Sequence, residues 1–149
     1  MINDPSIKKL FEEYEKAFSR LDIKKNAEFF ADAFISAGPR GAIAQSKTEF
    51  LTKAKQASDF YKSVGQEAAK IISADEMPVS DNYSLVKVHW GAKFRKTGDR
   101  WIEFDVSYLV QKTGSEPKII LFIAHQDEEQ AMKELGLTPD RISHHRGIE

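Results

Sequence analysis

YSLVKVHWGAKFRKTGDRWIEFDVSYLVQK, residues 83–112, alternates apolar and polar side chains on both sides of a short polar break at Lys96-Thr97-Gly98-Asp99. Successive side chains of a strand point to opposite faces, so this period of two predicts two strands, Tyr83–Arg95 and Trp101–Lys112, joined by an antiparallel turn. Split by parity, Val86, Val88, Trp90, Ala92 and Phe94 fall on one face with Ile102, Phe104, Val106, Tyr108 and Val110. That face is almost wholly apolar and must be covered. The opposite face carries Lys87, His89, Lys93, Glu103, Asp105 and Ser107.

The same alternation extends outward over Glu67–Asp75 and Lys118–Gln126, with breaks at Pro78–Asn82 and Thr113–Glu116. The breaks are short, so the four segments read as an antiparallel meander. In the last segment parity places Ile120, Phe122, Ala124 and Gln126 on the apolar face and Ile119, Leu121 and Ile123 on the other. An outer face that is half polar and half aliphatic predicts a homodimer formed through it.

The cover comes from the N-terminal half. Asp4 caps a helix opened by Pro5, whose stripe is Ile7, Leu10, Phe11, Tyr14, Phe18 and Leu21. Asp22 caps a short second helix through Ile23, Ala27 and Phe30, before a strand at Ala33-Phe34-Ile35-Ser36 and a turn at Gly38-Pro39-Arg40-Gly41. Ser46-Lys47-Thr48-Glu49 has capping-box spacing and opens a third helix with Phe50, Leu51, Ala54, Ala57, Tyr61 and Val64 on one face. Asp127 caps a last short helix, with Gln130 in the box position, ended by Gly136 and Pro139. Residues 1–139 therefore read as one α+β domain, three N-terminal helices on a curved antiparallel sheet with a short C-terminal helix. Residues 140–149 read as a loosely ordered tail.

The 149 residues carry 22 Lys+Arg against 23 Asp+Glu, a formal net charge of −1. Without a basic excess, nucleic acid and acidic membranes are not expected partners. The chain has no cysteine, which excludes disulfides, thiolate nucleophiles and Cys-ligated metal centres. Met1-Ile2-Asn3-Asp4-Pro5 does not read as a secretory leader, and no run reaches the length of a membrane span, so a cytoplasmic location is expected. No cofactor motif is present: Gly38–Gly41 with Arg40 fits no phosphate loop, and neither a Gly-x-Ser-x-Gly elbow nor a His-Glu-x-x-His helix occurs.

This order of elements, with NAEFFADAFISAGPRG (26–41), the capped helix at Ser46–Leu51, Trp101-Ile102-Glu103-Phe104 and PKIILFIAHQD (117–127), resembles the nuclear transport factor 2-like superfamily, in particular its SnoaL-like branch with a cystatin-like cone. The resemblance implies a sheet curled around the helices, dimerisation through the convex face and a small-molecule pocket inside. It also implies steroid isomerase, polyketide cyclase or dehydratase activity in some members. The isomerases' aspartate base would fall in the Ile35-Ser36-Ala37 neighbourhood, which holds no carboxylate, and their acidic donor would fall among Phe104, Val106 and Tyr108. An isomerase of that kind is therefore not expected.

Two constellations remain. The inward aromatic set Tyr14, Phe30, Phe34, Phe50, Tyr61, Trp90, Phe104, Tyr108 and Phe122, with Gln126, Tyr108, Trp90 and Tyr14 as polar handles, could line a cavity for a flat apolar ligand or could be core. If Lys96–Asp99 closes a tight hairpin, Lys93 lies opposite Glu103 and His89 diagonal to Asp105; closing Thr113–Glu116 then brings Asp105 near His125. Two histidines flanking one carboxylate could bind iron or zinc or act as an acid–base pair, and ordinary cross-strand pairing is the commoner outcome. The first functional expectation is non-catalytic binding of a small apolar or aromatic molecule. The rivals are a cyclase- or dehydratase-type enzyme and a dimeric interaction module with a filled pocket.

Overall fold

The computed structural model describes residues 1–63, 65–95 and 98–127. The elements are α1 (Pro5–Ser19), α2 (Ile23–Ala27), β1 (Phe30–Gly38), β2 (Gly41–Ser46), α3 (Lys47–Ser63), β3 (Gln66–Ser80), β4 (Tyr83–Phe94), β5 (Trp101–Gln111) and β6 (Lys118–Ala124). The expected last helix and tail lie outside the described residues.

All six strands form one sheet in the order β2-β1-β6-β5-β4-β3. The run β3 to β6 is the antiparallel meander that alternation indicates. The sheet is not wholly antiparallel, because β1 pairs with β6 in parallel. The stretch Gly41–Ser46, given no element between the turn and the capping box, is a strand hydrogen-bonded to β1, and Phe30 opens β1 instead of closing α2. Pro78 does not end β3, which runs on to Ser80; β3 is an edge strand, where a missing N–H removes no ladder bond.

Parity on β4 is as expected: Val86, Val88, Trp90, Ala92 and Phe94 are buried. On β6 parity breaks. Val110 pairs with Ile119 but Leu109 pairs with Leu121, so Ile120 is an extra residue and the strand changes face across it. Ile119, expected outside, is therefore fully buried in the core, while Leu121 and Ile123 remain on the outer face.

α1 lies on the inner face. Asp4 accepts from the backbone N–H of Ser6 (2.9 Å) and Ile7 (3.4 Å) as N-cap, and Pro5 gives up no hydrogen bond at the first helical position. Its buried stripe is Ile7, Leu10, Phe11, Tyr14 and Ala17, of which the first four pack with Val86, Val88, Trp90, Val106, Tyr108, Val110 and Ile119 in one core. The capping box of α3 forms with both of its bonds: Ser46 N–H donates to Glu49 Oε1 (2.9 Å) and Glu49 N–H to Ser46 Oγ (3.2 Å). No described helix is long and apolar enough to cross a membrane.

Candidate functional site: a cavity beneath the third helix

A cavity of about 610 Å3 lies between α3 and the inner face of β2, β1 and β6. Phe50, Lys53, Ala54, Ala57 and Tyr61 recur at helical spacing to form its roof. The two alanines hold space open because a methyl group cannot reach the sheet. Ser36, Ile43, Gln45, Phe122 and Ala124 form the opposite wall, brought together because Ser36 pairs with Ile43 on one side and with Phe122 on the other. The turn Pro39-Arg40-Gly41 stands at the rim, where Arg40 Nη2 donates to Asp127 Oδ2 (2.9 Å). Gln126 also reaches the rim, but its Oε1 accepts from the N–H of Asp105 (2.8 Å).

Of the ten residues expected around a pocket, Phe50, Tyr61, Phe122 and Gln126 line this cavity. The structure places Tyr14, Phe30, Phe34, Trp90 and Tyr108 in the main core instead, and Phe104 packs against that core. Trp90 is 1% exposed and its Nε1–H donates to Tyr108 Oη (3.0 Å), so this handle is spent inside the protein. Residues not expected around a pocket, among them Ser36, Ile43, Gln45, Lys53, Ala54 and Ala57, make up much of the rest of the walls. Ala54 and Ala57 were visible as small residues on a helix face; Gln45 was not, because its strand was not recognised.

The second constellation is rearranged. Pairing of β4 with β5 ends at Lys93↔Trp101, and the N–H of Gly98 donates to the Arg95 carbonyl (3.3 Å), so the connection is centred one residue earlier than expected. The register differs by two residues from expectation: Lys93 is not opposite Glu103, and His89 lies directly opposite Asp105. His89 Nδ1 meets Asp105 Oδ1 (2.8 Å) and Nε2 meets Glu103 Oε1 (2.6 Å). The result is one histidine between two carboxylates, not one carboxylate between two histidines. Each ring nitrogen faces an acceptor, which favours the doubly protonated ring; Glu103 first, then Asp105, raise the His89 pKa, and the bond to His89 lowers that of Asp105. His125 donates its backbone N–H to the Asp105 carbonyl (3.0 Å) while its Nε2 turns to Ser107 Oγ (2.7 Å). Among the described residues no three His, Asp or Glu side chains are arranged to hold a metal ion. An imidazolium with both nitrogens donating has no lone pair to offer one.

Residues 3–127 match the family model described as NTF2-like protein (DUF6841). The chain belongs to this NTF2-like family. Solved structures agree on the fold. An NTF2-like protein of unknown function from Shewanella oneidensis superposes on this NTF2-like chain with a TM-score of 0.68 at 16% identity, over 81% of this chain and 97% of that one. The beta subunit of benzoate 1,2-dioxygenase from Burkholderia mallei gives 0.65 at 9% identity, over 87% and 94%. A ketosteroid isomerase-like protein from Erwinia carotovora gives 0.57 at 16% identity, over 80% and 92%. No curated protein matches the sequence.

Proposed function

We propose that this NTF2-like chain binds a small apolar or aromatic molecule in the cavity beneath α3. The cavity itself carries the reading: its volume, about 610 Å3, is of ligand size, and its walls combine the apolar Phe50, Phe122, Ile43 and alanines with the polar side chains of Ser36, Gln45, Lys53 and Tyr61. Binding is favoured over catalysis by the chemistry of those walls. Among the described residues Asp127 is the one carboxylate that lines the cavity, and it is paired with Arg40 at the rim. A cyclase, dehydratase or isomerase needs a positioned proton acceptor inside. The test is native mass spectrometry of the purified protein against its denatured mass. A discrete retained organic mass, lost in Ala54→Phe, supports the reading; a bare mass together with failure to bind naphthalene-type probes overturns it.

A homodimer through the outer face of the sheet is the accompanying proposal. Ile35 and Ile123, 42% and 39% exposed, sit there beside Leu121, and Ile35 pairs with Leu121.

A further inference from the structure

The face of α3 turned to the cavity carries one charged residue. Phe50, Ala54, Ala57 and Tyr61 form the rest of that roof, and Lys53 stands among them. It lines the cavity and is also exposed, so its aliphatic stem can lie along the apolar wall with the ammonium at the mouth. Two other lysines of α3 are paired: Lys47 reaches Asp32 (3.8 Å) and Lys55 reaches Asp59 (3.6 Å). Lys53 forms no ion pair or hydrogen bond among the described residues. Glu49, one turn earlier, feels its charge, but that carboxylate accepts from the N–H of Ser46 and belongs to the capping box. The other two charges of the described wall offset each other, because Arg40 meets Asp127 (2.9 Å). One positive charge is left over beside Phe50, Ile43 and Phe122.

We infer that the ligand is an acid built on an apolar ring system, whose ring fills the cavity and whose carboxylate meets the Lys53 ammonium at the mouth. This rests on the cavity being a binding site and names the chemical class it takes. A carboxylate beside the ammonium gains a charge-assisted hydrogen bond, and a neutral ligand of the same shape gains only the weaker neutral kind. The charge of Asp127 is offset by Arg40, so a second anion is not turned away from the rim. Because Lys53 is exposed, the pair stays partly hydrated; the preference for an acid is therefore moderate and falls with salt. Lys53 is thus a specificity-determining residue, one that selects charge while the rest of the wall selects shape.

Three probes of one ring system test the inference on the full chain by calorimetry at neutral pH and low salt: 2-naphthoate, an anion, 2-naphthamide, its neutral isostere, and 2-naphthylmethylamine, a cation. The expected result is 2-naphthoate binding about fivefold more tightly than 2-naphthamide, with the amine weakest, and the advantage shrinking as salt is raised. In Lys53→Met the advantage of 2-naphthoate disappears and the affinity for 2-naphthamide is kept, whereas Lys53→Arg retains the advantage. Equal or weaker binding of 2-naphthoate than of 2-naphthamide by the unmodified protein overturns the acid assignment and leaves cavity binding intact. An advantage that survives in Lys53→Met overturns the role of Lys53, because another cation then holds the carboxylate. Binding of none of the three removes the cavity reading itself.

Discussion

Leu21 has φ 55°, the left-handed region that side chains with a Cβ rarely occupy. It follows α1 where the N–H of Asp22 donates back to the Ala17 carbonyl (2.9 Å) and its own N–H to Phe18 (3.1 Å), a helix stop that glycine or asparagine usually fills. Helical spacing placed Leu21 on the α1 stripe; the backbone turns out of the helix before it. Leu21→Gly should therefore raise stability by about 1 kcal/mol, less what its half-buried side chain contributes, as chemical denaturation will show. Trp90→Ala should cost about 3–5 kcal/mol, since it empties the centre of a core where Phe18 and Tyr14 pack on the indole. Any loss of ligand in that variant reports folding, and Ala54→Phe is the cleaner probe of the cavity. His89 binds its proton more tightly folded than unfolded. Its contribution is present in full below the ordinary imidazole value of 6.5 and is lost as pH rises through the elevated folded value. Asp105 works in the other direction: its contribution is present above the ordinary 3.8 and lost as pH falls through its lowered value. In an NMR titration Glu103→Gln should move the His89 midpoint down, and added salt should weaken the effect because the group is partly exposed.

The elements were legible wherever one face meets the core and the other does not. Both faces of β4 could be read by counting, and so could the stripe of α1, because burial on one side imposes the period. The capping box of α3 was equally plain, and Ser46→Ala should cost about 1 kcal/mol in thermal unfolding because it unties the N–H of Glu49. β2 was missed for a physical reason. Gly41-Ala42-Ile43-Ala44 is mostly exposed at the sheet edge, so no alternation is written into it. The bulge at Ile120 was invisible for another: every residue from Ile119 to Ile123 is aliphatic or aromatic, so sliding by one leaves the pattern unchanged. Register between β4 and β5 followed from where the hairpin is centred, and a slide by two residues leaves parity unchanged. The candidate site was harder to read than the fold because cavity and core use the same aromatic residues; what separates them is the pair of alanines on α3.

At the scale of the molecule, the outer face has two characters. The His89, Glu103 and Asp105 group and Ser107 with His125 are polar, and Ile35, Leu121 and Ile123 are aliphatic. If the aliphatic part is a dimer contact, sedimentation of the unmodified protein at micromolar concentration gives twice the mass of one chain, and Ile123→Lys returns it to one. A single-chain mass for the unmodified protein removes the dimer. The parallel pairing of β1 with β6 joins residues 30–37 to residues 119–123, and the cavity wall runs across that seam. This has a consequence for the order of events during synthesis. The β1–β2 hairpin and α3 leave the ribosome early, but the strand that β1 must lie against is made after the whole meander. Closing so long a loop is slow, so the facing walls of the cavity cannot come together in any nascent chain that lacks β6. A growing polypeptide that already holds Gln45, Ala54 and Tyr61 still lacks Phe122 and Ala124, and its cavity is without one wall.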